Sequence, residues 1–190
     1  MNFFKELAES FRASGEVELP EKSSLGAYLD LILPYIGTWG EDINETGFYS
    51  SAGGKPWLEV RDGDNFNSTI LHFFNDKGEY LRSTNGDIFK GKWRLLPDSN
   101  KMLIEAGASE LYDLAYLDKN FFILKKNGVT GGRKYFVMGA ERSVRGLEWR
   151  DFVEALFNIY RNNHQGTQWV KKLIIAVVII FILIFFVLGG

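Results

Sequence analysis

The period of two that runs through the middle of the chain constrains its fold more than any other feature. Over residues 88–95, Phe89, Gly91, Trp93 and Leu95 point one way and Lys90, Lys92 and Arg94 the other, the alternation of a strand with one buried face. Residues 57–61, 69–74 and 79–82 alternate in the same manner, and 101–105, 110–117, 121–126 and 133–138 fit further strands. Short turn signals separate them: Asp76-Lys77-Gly78, Asn85-Gly86-Asp87, Pro97-Asp98-Ser99-Asn100, Asp118-Lys119-Asn120 and Asn127-Gly128. About eight short strands with no helices between them predict an antiparallel meander, which hides its edges most simply by closing into a barrel.

Helical periodicity flanks this region on both sides. Phe3, Leu7 and Phe11 recur every four residues, with Phe4 and Ala8 beside them and Lys5, Glu6, Glu9 and Arg12 opposite. This predicts a short amphipathic helix over 2–12, a surface for its own domain or for a partner protein. Residues 14–24 read as linker, and Leu25, Tyr28, Leu29 and Ile32 predict a second helix that stops before Pro34. Beyond Gly139, Trp149, Phe152, Val153, Leu156, Ile159 and Tyr160 form an apolar stripe, a helix expected to cover the side or one end of the barrel. The expected organisation is an N-terminal helical segment (1–35), a barrel (36–140), a packing helix (143–163), a tether (164–170) and a final segment (171–190).

That final segment predicts location. Residues 173–188 are Leu, Ile, Val or Phe throughout except Ala176. Extended to Gly190 at a helical rise of 1.5 Å, the run is roughly 27 Å long, close to the hydrocarbon thickness of a bilayer, and favours insertion by several kcal/mol. Lys171 and Lys172 stand on its near side, Trp169 suits the interfacial belt, and only Gly189 and Gly190 lie beyond. The positive-inside rule then predicts a single-pass, tail-anchored protein with its folded part cytoplasmic and the lipid bilayer as a partner through 171–190. Phe3-Phe4 followed at once by Lys5-Glu6 leaves no room for a secretory leader. The sequons Asn44-Glu45-Thr46 and Asn67-Ser68-Thr69 read as loop chemistry.

Composition and motifs exclude several kinds of chemistry. A net charge of −2 gives no general attraction to nucleic acid, and the absence of cysteine removes disulfides, thiol catalysis and thiolate metal sites. The stretch 62–67 begins like a calcium loop, but Phe66 stands where the third ligand belongs and Phe73 where the terminal Glu belongs. Gly53-Gly54-Lys55 lacks the spacing and the Ser or Thr of a phosphate loop, and Pro56 would block the helix that must follow. Of two histidines, His164 falls in the tether and His72 shares a strand face with Ile70 and Phe74, where it reads as structural. No enzymatic activity, metal or cofactor is expected.

Gly37-Thr38-Trp39, a Gly-x-Trp following a short helix, resembles the opening strand of the lipocalin and calycin superfamily. The stretch 73–80 is similar to that family's aromatic-Gly-Tyr hairpin, Gly91-Lys92-Trp93-Arg94-Leu95 to the Gly-x-Trp strand of small bacterial lipocalin-like domains, and 111–124 to their closing strands. The resemblance covers about residues 36–138 through short motifs, and it implies a lipocalin-like barrel of about eight strands. In such barrels the opening Trp, here Trp39 after Gly37, packs across the base under a late Arg, for which Arg133 and Arg142 are the candidates. A meander followed by the Trp-bearing 147–152 also resembles the pleckstrin-homology architecture, although the strand count is high for it. The lack of a leader and of cysteines sets the chain apart from secreted carriers.

The lipocalin-like resemblance implies an interior that takes a hydrophobic or amphipathic small molecule. Phe73, Trp93, Tyr112 and Tyr116 are the expected lining, with Arg82 as partner for an acidic head group. The alternative is a barrel filled by its own aromatics, serving as a membrane-tethered interaction or assembly module with the N-terminal helix toward a partner protein.

Overall fold

The computed structural model describes residues 21–44, 47–49, 55–63, 68–128 and 132–162. Eight strands follow one another: β1 (Trp57–Glu59), β2 (Ile70–Phe74), β3 (Glu79–Thr84), β4 (Asp87–Leu95), β5 (Lys101–Ala106), β6 (Ala108–Leu117), β7 (Phe121–Lys126) and β8 (Tyr135–Ala140). Each pairs antiparallel with the next, and the ring closes where β1 meets β8, with Trp57 opposite Ala140, Leu58 opposite Gly139 and Glu59 opposite Met138. The alternation therefore led to the right architecture, and the closed ring of eight is compatible with the lipocalin-like expectation. The pleckstrin-homology alternative called for fewer strands.

Local chemistry sets the register. Asn85 (φ 50°) and Gly86 (φ 100°) make the tight left-handed turn between β3 and β4, the geometry that an Asn-Gly pair favours in two-residue hairpins. Gly91 on β4 lies opposite Tyr80 on β3. A Cβ there would overlap the Glu105 carbonyl oxygen and come within 3.1 Å of the Tyr80 ring, so glycine is what lets that ring lie across the barrel wall.

The chain before β1 departs from expectation. Helix α1 (Leu25–Ile36) starts at Ser24, whose hydroxyl accepts from the Ala27 amide, and it runs through Pro34 instead of stopping before it. Asp30, whose carbonyl loses its helical partner to that proline, lies on an exposed turn, while Leu29, Ile32, Leu33 and Ile36 are buried on the other side. Burial of that stripe outweighs one missing hydrogen bond. Gly37–Trp39 then forms a 3-10 turn, not a first strand, because Gly37 continues the helical backbone (φ −56°). This turn passes over β6, with Gly40 close to the Leu117 amide and the Tyr116 ring.

Strand β7 reads Phe-Phe-Ile-Leu because both its faces are covered. Phe122 and Leu124 join the barrel core. Phe121 points outward to meet Phe152 at 5.0 Å, ring edge to face. Phe152 comes from α3 (149–162), which follows the short helix α2 (Glu141–Val144) and also sets Trp149 5.9 Å from Tyr28 of α1. Residues Glu21–Glu154 form one compact unit. Residues 155–162 continue α3, with the Phe157 and Tyr160 rings 5.8 Å apart. Among the described residues no helix is long and apolar enough to cross a membrane. The amphipathic segment 2–12, the tether 164–170 and the apolar segment 171–190, with Trp169, Lys171 and Lys172, lie outside the described residues.

Candidate functional site

The inward residues of each strand divide the barrel interior into a packed floor and an open half. At the floor, Trp57 (β1), Phe74 (β2) and Phe122 (β7) converge on Phe48, which enters from the segment before β1. The Phe48 ring stands 5.7 Å from Phe74, 5.2 Å from Phe122 and 5.2 Å from Trp93, and its carbonyl accepts the Trp57 indole N–H at 2.9 Å. Such tilted and edge-on contacts suit aromatic quadrupoles, and the buried N–H is satisfied. The floor is closely packed.

One turn of the pleat further along, the same inward positions change character. Two residues after Trp57 comes Glu59, two before Phe74 comes His72, and two after Tyr80 comes Arg82. These side chains, with Glu110 and Tyr112 of β6, line a cavity of about 330 Å³. That is the low end of the range for small-molecule sites.

At its base a hydrogen-bonded chain links three strands. Glu59 Oε2 lies 3.0 Å from His72 Nε2, and His72 Nδ1 lies 2.6 Å from the Tyr80 hydroxyl. The His72 ring is 2% exposed and packs edge-on against Phe136 at 4.8 Å. Glu59 Oε1 also accepts from Arg61 and, at 3.2 Å, from Arg133. Burial by itself would raise the Glu59 pKa, but the hydrogen bonds from His72 and Arg61 and the Arg61 charge overcome it and hold the carboxyl at about 2. Burial pushes His72 below its ordinary range despite the pull of Glu59, with Arg82 and Arg61 adding to the effect, so the ring is neutral at pH 7. Ionised Glu59 therefore accepts from the His72 Nε2–H, and Nδ1 is left to accept from Tyr80. Burial raises the Tyr80 hydroxyl well above the usual phenol range, so it keeps its proton to donate.

The remaining charges around the cavity are mostly paired. Lys126 and the Tyr112 hydroxyl both donate to Glu110. Arg82 is the exception: among the described residues it forms no ion pair, and its guanidinium lies over Phe89 with its carbon 5.1 Å from the ring centroid. The arrangement sets a cation with no carboxylate partner among the described residues above a base in which ionised Glu59 is matched by Arg61 and Arg133. Among the described residues no cluster of three or more His, Asp or Glu is placed to hold a metal ion.

Of the residues predicted from sequence, Arg82 and Tyr112 line this cavity. Phe73 does not, because the parity that brings His72 and Phe74 inward turns it outward on β2. Trp93 belongs to the floor, its indole N–H donating to the Asn75 carbonyl at 2.9 Å. Tyr116 is displaced by a bulge in β6 between Leu114 and Tyr116; its hydroxyl reaches Asp118 at 3.3 Å and its ring lies by Gly40. Gly37 and Trp39 sit in the 3-10 turn with Trp39 41% exposed, so Trp39 does not pack across the base. Fully buried Trp57 takes that place, and Arg133 goes to the cavity and Glu59 instead of to a tryptophan. Glu59, His72 and Tyr80 were not expected in a site. Their signal was a polar residue at the inward parity of an otherwise apolar strand. No family model, no curated protein and no solved structure matches the chain.

Proposed function

We propose that the open half of the barrel is a non-enzymatic, lipocalin-like binding site for a small amphipathic acid. The observation that carries this reading is the division of the interior. An aromatic floor closed by Phe48 leaves about 330 Å³ open, and Arg82, without a carboxylate partner among the described residues, lines that space. Ile104, Ala106 and Phe136 supply the apolar wall for the rest of the molecule. The polar base of the cavity argues against a long bare hydrocarbon reaching the bottom, since it would strand the Glu59–His72–Tyr80 chain in contact with methylene groups.

The test is native mass spectrometry of the full-length chain released from nanodiscs, with displacement of a fluorescent fatty acid as a second readout. A co-purifying small acid is expected, and Arg82→Ala weakens binding about tenfold, the size of one lost charge-assisted hydrogen bond. A ligand-free mass together with no displacement overturns the reading. It would leave the interaction-module alternative, in which residues 1–12 recruit a partner protein.

The same proposal places the barrel at a bilayer, on the strength of the apolar residues 173–188 and the Lys171-Lys172 pair before them. It makes the protein tail-anchored with the barrel cytoplasmic. Alkaline carbonate extraction of membranes is expected to leave the chain in the pellet, and its release into the supernatant would refute the anchor.

A further inference from the structure

Two tyrosines of inward parity line the cavity, Tyr80 and Tyr112. A phenol has one proton to donate. The Tyr80 proton goes to His72 Nδ1 at 2.6 Å, the only polarity available once Glu59 holds the proton on Nε2. The Tyr112 proton goes to Glu110. Both protons are thus spent on protein acceptors, and what each oxygen has left for a ligand is a lone pair. The nearby cations follow the same logic. Arg61 and Arg133 are held on Glu59 and Lys126 on Glu110, so Arg82 is the donor whose carboxylate partner is missing among the described residues.

We propose that the molecule bound here carries, besides its acidic group, a hydrogen-bond donor such as a hydroxyl or an amine, which meets the tyrosine oxygens while the acid meets Arg82. The inference rests on the binding reading above and refines its ligand class to hydroxy or amino acids of small size. A ligand lying against these oxygens without a donor leaves their remaining lone pairs unpaired and gains nothing from them. An ether oxygen in the same place sets lone pair against lone pair and is worse. Discrimination comes from the donor pattern of the wall and not from cavity size.

The experiment is isothermal titration calorimetry of the full-length chain in nanodiscs with 3-phenylpropionate, its 4-hydroxy derivative and its 4-methoxy derivative. The hydroxy acid is expected to bind about tenfold more tightly than the unsubstituted acid, and the methoxy acid more weakly than either. In Arg82→Ala all three weaken together while the ratio of hydroxy to unsubstituted acid persists, since the donor contact does not involve that arginine. Equal affinities, or a methoxy acid that matches the hydroxy acid, overturn the donor requirement and leave acid binding standing. Binding of none of the three overturns both.

Discussion

Phe48→Ala is expected to lower the stability of the barrel by about 3–5 kcal/mol, the range for deleting a buried phenylalanine and leaving its cavity. Phe48 is fully buried, yet it is not part of any strand; it is inserted from the connection before β1 and touches rings from β2, β4 and β7. Neighbouring strands are tied by the closed ladder and cannot collapse into the void, so relaxation should recover little of the loss. Phe48→Leu keeps most of the volume and is expected to lose less than half as much. Urea unfolding of the two variants decides the matter. A loss below about 1 kcal/mol for the alanine variant would mean that the aromatic floor stands without its plug.

The second large effect belongs to Glu59. Glu59→Ala removes the shared acceptor of His72, Arg61 and Arg133, and leaving the buried His72 donor unsatisfied while two partly exposed arginines lose their carboxylate costs about 2–3 kcal/mol. The same carboxylate dictates the acid response. Its pKa falls from 4.5 to about 2 on folding, so it contributes about 3 kcal/mol, present above pH 4.5 and lost as the pH falls from there through 2. His72 acts earlier in the same direction. Because the folded state holds it neutral, the unfolded chain binds the extra proton first and stability begins to decline below pH 6.5. Urea midpoints at pH 7, 5 and 3 are expected to fall steadily for the native chain and much less between pH 5 and 3 for Glu59→Gln. Parallel declines in the two proteins would show that acid sensitivity arises elsewhere.

The strands were legible because a half-buried strand writes its two faces into alternate residues. β7 was placed to the residue, and the hairpin at Asn85-Gly86 announced itself through its turn chemistry. Parity also contained the site. Glu59, His72 and Arg82 share inward positions with Trp57, Phe74 and Tyr80, but a lone histidine among apolar neighbours reads as core until its partners on other strands are known. Those partners are long-range facts that no local pattern carries. Where counting by twos failed, the backbone had changed the count. One bulge in β6 sends Tyr116 to the outer face, and a helix that continues into a 3-10 turn converts Gly37-Thr38-Trp39 from a strand opening into a cap. Phe48 escaped notice for a different reason: a single inserted residue between glycine-rich connections has no periodicity to betray it.

The pairing of β1 with β8 has a consequence for how the chain is made. Until the last strand, Tyr135–Ala140, has emerged from the ribosome, its two neighbours in the finished wall, β1 and β7, each present an unsatisfied row of amides and carbonyls to whatever is nearby. The hazard of mispairing with another nascent chain is therefore confined to one interval of synthesis, and it ends with a six-residue segment that serves both exposed borders at once.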